Sequence, residues 1–273
     1  GLLDPLDDTL RSEILRYGQF VEAAYRSFDF DTSSPTFGSC KFSKNSLLTR
    51  SCIRETGYKP IKNLRATCGI QLPGWIDRGP SWVSTHLYTS GNATCPSLQS
   101  MVREEIGRVL EAYGDEPLSL TITGHSLGAA LATLAAYDIN SNFGNAPPVT
   151  VISFGGPRVG NQSFRCQLEK RGTKILRIVN SDDLITKVPG FVIENNDMAV
   201  NVAGLTSWVQ KRVEEAQLVY ADVGQELRLS SKECPHLSKG SVASCHELRT
   251  YLELVNGFVG SNCPVRATAK RVL

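Results

Sequence analysis

The sequence predicts an α/β fold built around a mostly parallel central sheet. Apolar, β-branched runs alternate with stretches of helical period between residues 97 and 179. A Gly-x-Ser-x-Gly pentapeptide, Gly124 to Gly128, stands at one of the strand-to-helix junctions. The chain has 273 residues, of which 41% are hydrophobic and 21% charged, a composition suited to one sizeable core. One domain over residues 1–273 is therefore expected.

The first helix is expected from Asp8 to about Phe28, on the outside of the domain. Leu10, Ile14, Leu15, Tyr17, Val21, Ala24 and Tyr25 recur near helical spacing behind acidic residues. From Asp29 to about Thr94 the chain is rich in Ser, Gly, Pro and Thr and poor in strands, with short apolar pieces at Ser46 to Leu48 and Ile70 to Leu72. Between Ser97 and Tyr113 an apolar stripe of Leu98, Met101, Val102, Ile106, Val109 and Leu110 predicts a second helix, stopped by Gly114. Leu118 to Thr123 reads as a strand, Leu127 to about Asn140 as a helix of small residues, and Val149 to Phe154 as a second strand. A helix near Ser163 to Lys170 and a strand from Lys174 to Val179 continue the alternation. The last third carries an amphipathic helix around Ser207 to Tyr220, a short strand at Glu226 to Leu229, and a final helix from Cys245 to about Gly257. In that final helix Leu248, Tyr251, Leu252 and Val255 share a face.

Several function classes are disfavoured. Acids and bases nearly balance at a formal charge of +2, and no run of Lys or Arg could track a phosphate backbone, so nucleic acid is not an expected partner. No stretch reaches the roughly 20 uninterrupted apolar residues that a bilayer span needs. The chain opens at Gly1 without a charged leader or an apolar core, and an N-terminal segment that was removed or never included is expected. The eight cysteines, Cys40, Cys52, Cys68, Cys95, Cys166, Cys234, Cys245 and Cys263, stand singly, without the paired spacing that zinc requires. They are expected to be mostly free or buried thiols. The triplets at Asn92 and Asn161 fit a glycosylation acceptor but carry no meaning without a secretory context.

The pentapeptide Gly124-His125-Ser126-Leu127-Gly128 carries the chemistry. A hydroxyl is a poor nucleophile at neutral pH, so a serine enzyme holds it against a base on a sharp strand-to-helix turn. Here a β-branched strand precedes Ser126 and an Ala-rich helix follows, the context of a nucleophile elbow in an α/β-hydrolase fold. Gly124 and Gly128 are expected to leave room where a Cβ would collide. The helix beginning at Leu127 aims its dipole and the Leu127 N–H at a developing oxyanion.

This fold orders its partners Ser, then Asp or Glu, then His. Two histidines follow the elbow, His236 in a loop and His246 in Ser244-Cys245-His246-Glu247, a capping-box pattern that would fix its backbone; His246 is favoured. The acid should end a strand beyond the elbow, and both Asp182 and Asp183 do so, whereas Asp138, Asp197 and Asp222 read as surface charges. The reaction so implied, acyl transfer to Ser126 and hydrolysis, needs neither metal nor organic cofactor.

Three stretches, Ser119 to Ala130, Val151 to Asn161 and Val188-Pro189-Gly190, together resemble the plant class 3 (fungal lipase-like) phospholipase A1 family. The opening Leu2-Leu3-Asp4-Pro5-Leu6 and the stretch His246 to Leu252 resemble its plastid-targeted gamma branch. The resemblance covers nearly the whole chain. It implies Ser126 as nucleophile, Asp183 as acid and His246 as base. It also implies hydrolysis of the sn-1 acyl ester of phospholipids, galactolipids or triacylglycerol, on a membrane or lipid droplet, in the chloroplast.

One departure from the family is expected to matter. Family members place two core strands, an Arg-Gly-Thr loop and a lid between a stretch like Pro80-Ser81-Trp82-Val83 and one like Leu87-Tyr88-Thr89-Ser90; here Val83 runs almost directly into Leu87. The absent piece would carry the second oxyanion donor, whose loss costs about 100- to 1,000-fold in turnover. It would also leave an open edge beside the elbow strand. The alternative reading is accordingly a catalytically impaired homologue that acts, if at all, as a lipid-surface binding protein. An acyltransferase using the same acyl-enzyme is a third. Phe191, Val192, Ile193 and Trp208, after the acid, are candidates for seating lipid or for the core.

Overall fold

The computed structural model describes residues 2–53, 57–64, 89, 96–188, 220–233 and 242–260. In chain order these residues form α1 (Asp8–Ser27), the single turn α2 (Leu47–Arg50), α3 (Leu98–Tyr113), β1 (Leu120–His125), α4 (Leu127–Asn142) and β2 (Val149–Phe154). There follow α5 (Gln162–Lys170), β3 (Lys174–Asn180), β4 (Gln225–Leu229), the single turn α6 (Val242–Cys245) and α7 (Leu248–Gly257).

The four strands form one parallel sheet in the order β1-β2-β3-β4. Successive side chains on a strand point to opposite faces, and the apolar residues divide accordingly. Ile152 and Phe154 of β2, Ile178 of β3 and Leu227 and Leu229 of β4 face Ile14 and Val21 of α1 and Leu248, Tyr251, Leu254 and Val255 of α7. On the other face Val149, Val151 and Ile175 meet Ala132, Ala136 and Ile139 of α4 and Leu168 of α5. The sheet is thus covered on both sides, as parallel sheets require. The small residues of α4 let it lie close to β1 and β2, and Ala129, Ala130, Ala132, Ala135 and Ala136 are all buried.

The helices begin where their caps direct. Asp7, Ser97 and Asn161 accept hydrogen bonds from Leu10, Ser100 and Phe164 N–H groups, opening α1, α3 and α5. α1 forms the outer layer and also buries Ile14, Gly18, Val21 and Ala23, so the expected outside helix contributes a full core face.

β1 ends two residues later than expected, because its ladder with β2 continues through Gly124↔Ser153 and His125↔Phe154. The final helix differs more. Glu247 has extended dihedrals (φ −66°, ψ 135°) and no side-chain cap bond, so α7 opens at Leu248. The capping-box expectation fails here: Glu247, expected at the third position of the helix, is instead its N-cap, and His246 sits in a turn between α6 and α7.

Among the described residues β1 pairs only with β2, and its first four residues are only half-buried. α3 likewise buries none of its residues fully, although Val102 and Ile106 pack against the α4 side of the core. The expected helix at 207–220 lies outside the described residues except for Tyr220, as do Phe191, Val192, Ile193, Trp208, Asp197, His236 and the stretch 80–88. Cys40, Cys52, Cys166 and Cys245 are free thiols, Cys245 buried. Among the described residues no helix is long and apolar enough to cross a membrane.

Candidate active site

Ser126 lies between the end of β1 and the start of α4 with φ 56° and ψ −125°, a left-handed conformation that non-glycine residues seldom adopt. Two features hold it there. Its N–H donates to the Phe154 carbonyl at 2.9 Å, extending the β1–β2 ladder, and its carbonyl accepts from Ala129 and Ala130 in the first turn of α4. A Cβ on Gly124 would come within 2.3 Å of the Gly128 carbonyl oxygen, so only glycine fits at that position. At Gly128 a Cβ would meet no described atom within 4 Å, and the expected collision is absent there. Leu127 is the first residue of α4, where a backbone N–H has no partner within its own helix and the dipole is positive.

The Ser126 hydroxyl stands 2.7 Å from His246 Nε2, and His246 Nδ1 stands 2.6 Å from Asp183 Oδ2. A carboxylate only accepts, so Nδ1 carries the proton; in the neutral ring Nε2 is then the acceptor for the hydroxyl. The three residues are thus joined in one chain of hydrogen bonds across separations of 120 and 63 positions. Asp183 follows β3 and is 1% exposed. It accepts additionally from the Tyr251 hydroxyl at 2.6 Å and, through Oδ1, from the Ile185 N–H at 2.9 Å.

The neighbouring carboxylate points elsewhere. Asp182 accepts from the Ser230 hydroxyl at 3.0 Å and the Lys232 N–H at 3.3 Å, on the β4 side. Asp138 is not the surface charge expected of it: it is 5% exposed and held by Arg103, Gln99 and the Asn142 side chain, tying α3 to α4. Asp222 does sit near the surface, paired with Arg158 and Arg177.

Three site residues escaped the sequence reading. Tyr251 reads as one more apolar member of the α7 face, yet its buried hydroxyl donates to Asp183 and accepts from the Asn180 N–H at 3.3 Å. Burial and the adjacent Asp183 charge raise its pKa far above that of free tyrosine. His125, inside the elbow, is 8% exposed. Its Nε2 meets the His246 carbonyl at 2.7 Å and its Nδ1 the Tyr25 hydroxyl at 2.8 Å. Burial, then the proximity of His246, pushes its pKa down to about 4, so the ring is neutral at pH 7. Asn180, wholly buried, donates to the Cys245 carbonyl at 2.9 Å and steadies the His246 turn. Neither His125 nor Asn180 stands at a spacing that marks it in the sequence. Among the described residues no group of three or more His, Cys, Asp or Glu side chains is placed to hold a metal ion.

Comparison with known proteins agrees with this architecture. Residues 63–193 match the family described as Lipase (class 3). The chain is 52% identical to "Phospholipase A(1) DAD1, chloroplastic" of Arabidopsis thaliana, covering 100% of this chain and 77% of that protein. It is 30% identical to "Phospholipase A1-Igamma1, chloroplastic" of the same plant, covering 95% of this chain and 65% of that protein. Among solved structures, lipase II from Rhizopus niveus is 33% identical, with 33% of this chain and 36% of that one covered and a TM-score of 0.30. The first alignment runs over 345 positions whereas this chain has 273 residues, so at least 72 aligned positions face no residue here. With a relative 52% identical over the whole of this chain, the chain belongs to the class 3 lipase family, in its plant phospholipase A1 group.

Proposed function

We propose that this chain is a serine carboxylic-ester hydrolase that cleaves the sn-1 acyl ester of phospholipids or galactolipids at a membrane surface in the chloroplast. The observation that carries the reading is the Ser126–His246–Asp183 chain of hydrogen bonds, built on a strained elbow at a helix N-terminus. His246 Nε2 takes the Ser126 proton as the hydroxyl attacks the ester carbonyl, and Asp183 holds the ring and offsets its positive charge. The Leu127 N–H, at the positive end of α4, stabilises the tetrahedral oxyanion. His246 then returns the proton to the departing lysolipid alkoxide, and water releases the fatty acid by the same steps in reverse. The substrate class is supported by the relatives, which include "Galactolipase DONGLE, chloroplastic", 32% identical, as well as the phospholipases. Those names also support the compartment.

A second reading is favoured by the 72 or more unmatched positions and by the edge of β1, which has no partner among the described residues. A chain lacking the second oxyanion donor would bind lipid while turning it over slowly.

A fluorophosphonate probe followed by fatty-acid release from phosphatidylcholine and monogalactosyldiacylglycerol vesicles separates the two. Labelling that disappears in Ser126→Ala, with sn-1 fatty acid released, is the expected result. Labelling without release supports the impaired reading, and labelling that persists in Ser126→Ala overturns the assignment of the nucleophile.

A further inference from the structure

The turn that carries His246 is held by two consecutive carbonyls. Asn180, at the end of β3, donates through its side chain to the Cys245 carbonyl at 2.9 Å. His125, at the end of β1, meets the His246 carbonyl through Nε2 at 2.7 Å. A carbonyl only accepts, so Nε2 bears the hydrogen; the neutral ring then leaves Nδ1 to accept from the Tyr25 hydroxyl 2.8 Å away. A rigid ring with a donor at one end and an acceptor at the other thus spans from α1 to the His246 turn.

The stacking is as specific as the bonding. The His125 ring centroid is 4.8 Å from that of His246 and 6.0 Å from that of Tyr251, while Tyr25 meets it edge-on at 5.9 Å. The backbone of His125 is itself fixed by its pairing with Phe154. Its neighbour Ser126 donates to the carbonyl of this same residue, so one anchor sets both the hydroxyl and the ring that holds its acceptor.

We infer that His125 is a positioning residue that sets the distance between Ser126 and His246 by gripping the main chain of His246, with Tyr25 fixing the tautomer that lets it do so. The inference rests on the proposed role of His246 as the base. Both ring nitrogens of His125 are engaged, by the His246 carbonyl and the Tyr25 hydroxyl, so neither bonds the Ser126 hydroxyl or the His246 ring. Without its donor the His246 carbonyl loses its side-chain anchor, leaving the turn to the Asn180 and Thr250 side chains and its own backbone bonds, and the Nε2-to-hydroxyl alignment relaxes. Misplacements of about 1 Å at a reacting centre lower turnover by up to about 100-fold.

The test compares His125→Leu, which removes the donor, with His125→Gln, whose Nε2 can reach the same carbonyl, and with Tyr25→Phe at the half-exposed end. For a soluble short-chain ester, His125→Leu is expected to lower kcat and the rate of fluorophosphonate labelling about 10- to 100-fold with KM little changed. His125→Gln should recover most of that loss, and Tyr25→Phe should lose several-fold. Full-rate labelling in His125→Leu, or equal impairment in the Leu and Gln variants, overturns the inference. Should His125→Leu fail to fold, Tyr25→Phe decides, and an unchanged kcat refutes it. Should the wild-type chain label nothing, the hydrolase reading fails, and the far-downfield Nδ1 proton of His246 becomes the readout. It should shift in His125→Leu and return in His125→Gln, and an unmoved resonance overturns the positioning role.

Discussion

Asp183 is a charge taken out of water, and its surroundings show how that is tolerated. Three donors converge on it, from His246, Tyr251 and the Ile185 backbone, and satisfy the carboxylate where solvent cannot. Replacing Tyr251 by Phe keeps the packing but deletes one donor. Stability should fall by about 1–3 kcal/mol, read by urea denaturation, and an unchanged stability would mean that the hydroxyl does not matter. His125 gives a pH dependence. Its folded pKa of about 4 lies below the free value of 6.5, so the unfolded chain takes up the proton first as the solution is acidified. The stability of the neutral buried ring is therefore complete above about pH 6.5 and is lost as pH falls towards about 4, by about 3 kcal/mol in all. The wild type should lose more stability than His125→Gln between pH 7 and 4.5, and parallel curves would refute the assignment.

At the scale of elements, β1, the elbow and α4 act as one unit. Most of this unit is legible in the sequence, because β-branched alternation, a glycine-flanked serine and an alanine run each have a local cause. Gly124→Ala tests its tightness: the added methyl would stand 2.3 Å from a backbone oxygen that cannot rotate aside. The variant should be destabilised by more than the roughly 1 kcal/mol typical of point substitutions, and probe labelling should vanish even in the fraction that remains folded. Calorimetry and gel fluorescence read the two effects separately. Gly128→Ala, with open space beside it among the described residues, should label normally. The turn between α6 and α7 was less legible. Ser244 and Glu247 have the spacing of a capping box, but Glu247 is the N-cap of α7 rather than its third residue, and the chain extends there. That extension frees His246 from helical geometry and lets its ring reach Ser126.

For the whole molecule, two apolar layers sandwich a four-stranded sheet, and among the described residues its β1 edge has no further strand. β1 is only half-buried over its first four positions and α3 buries none of its residues fully. The relative that matches this chain from end to end carries at least 72 positions with no counterpart here. If, as proposed, Leu127 supplies one oxyanion donor and the unmatched stretch a second, inserting the corresponding segment of that relative after Val83 is expected to raise kcat on a lipid ester by about 100- to 1,000-fold, the worth of one donor. An unchanged kcat would mean that Leu127 alone suffices. The graft should also raise the midpoint of thermal unfolding by covering the β1 edge.

From the sequence alone came the alternation of strands and helices and the serine on its elbow, because each is written in local periodicity or in a short motif; the expected order of acid and base followed from the fold class these imply. Which of Asp182 and Asp183 lies beside His246, and so is the proposed acid, needed the tertiary structure as well as the family resemblance. Both end the same strand, and only the folded chain directs one towards His246 and the other towards Ser230. The grip of His125 on the His246 carbonyl, the hydroxyl of Tyr251 on Asp183 and the burial of Asp138 under Arg103 were likewise invisible in the sequence. They join residues 35 to 121 positions apart, and no local pattern records which distant side chain will satisfy a buried polar group.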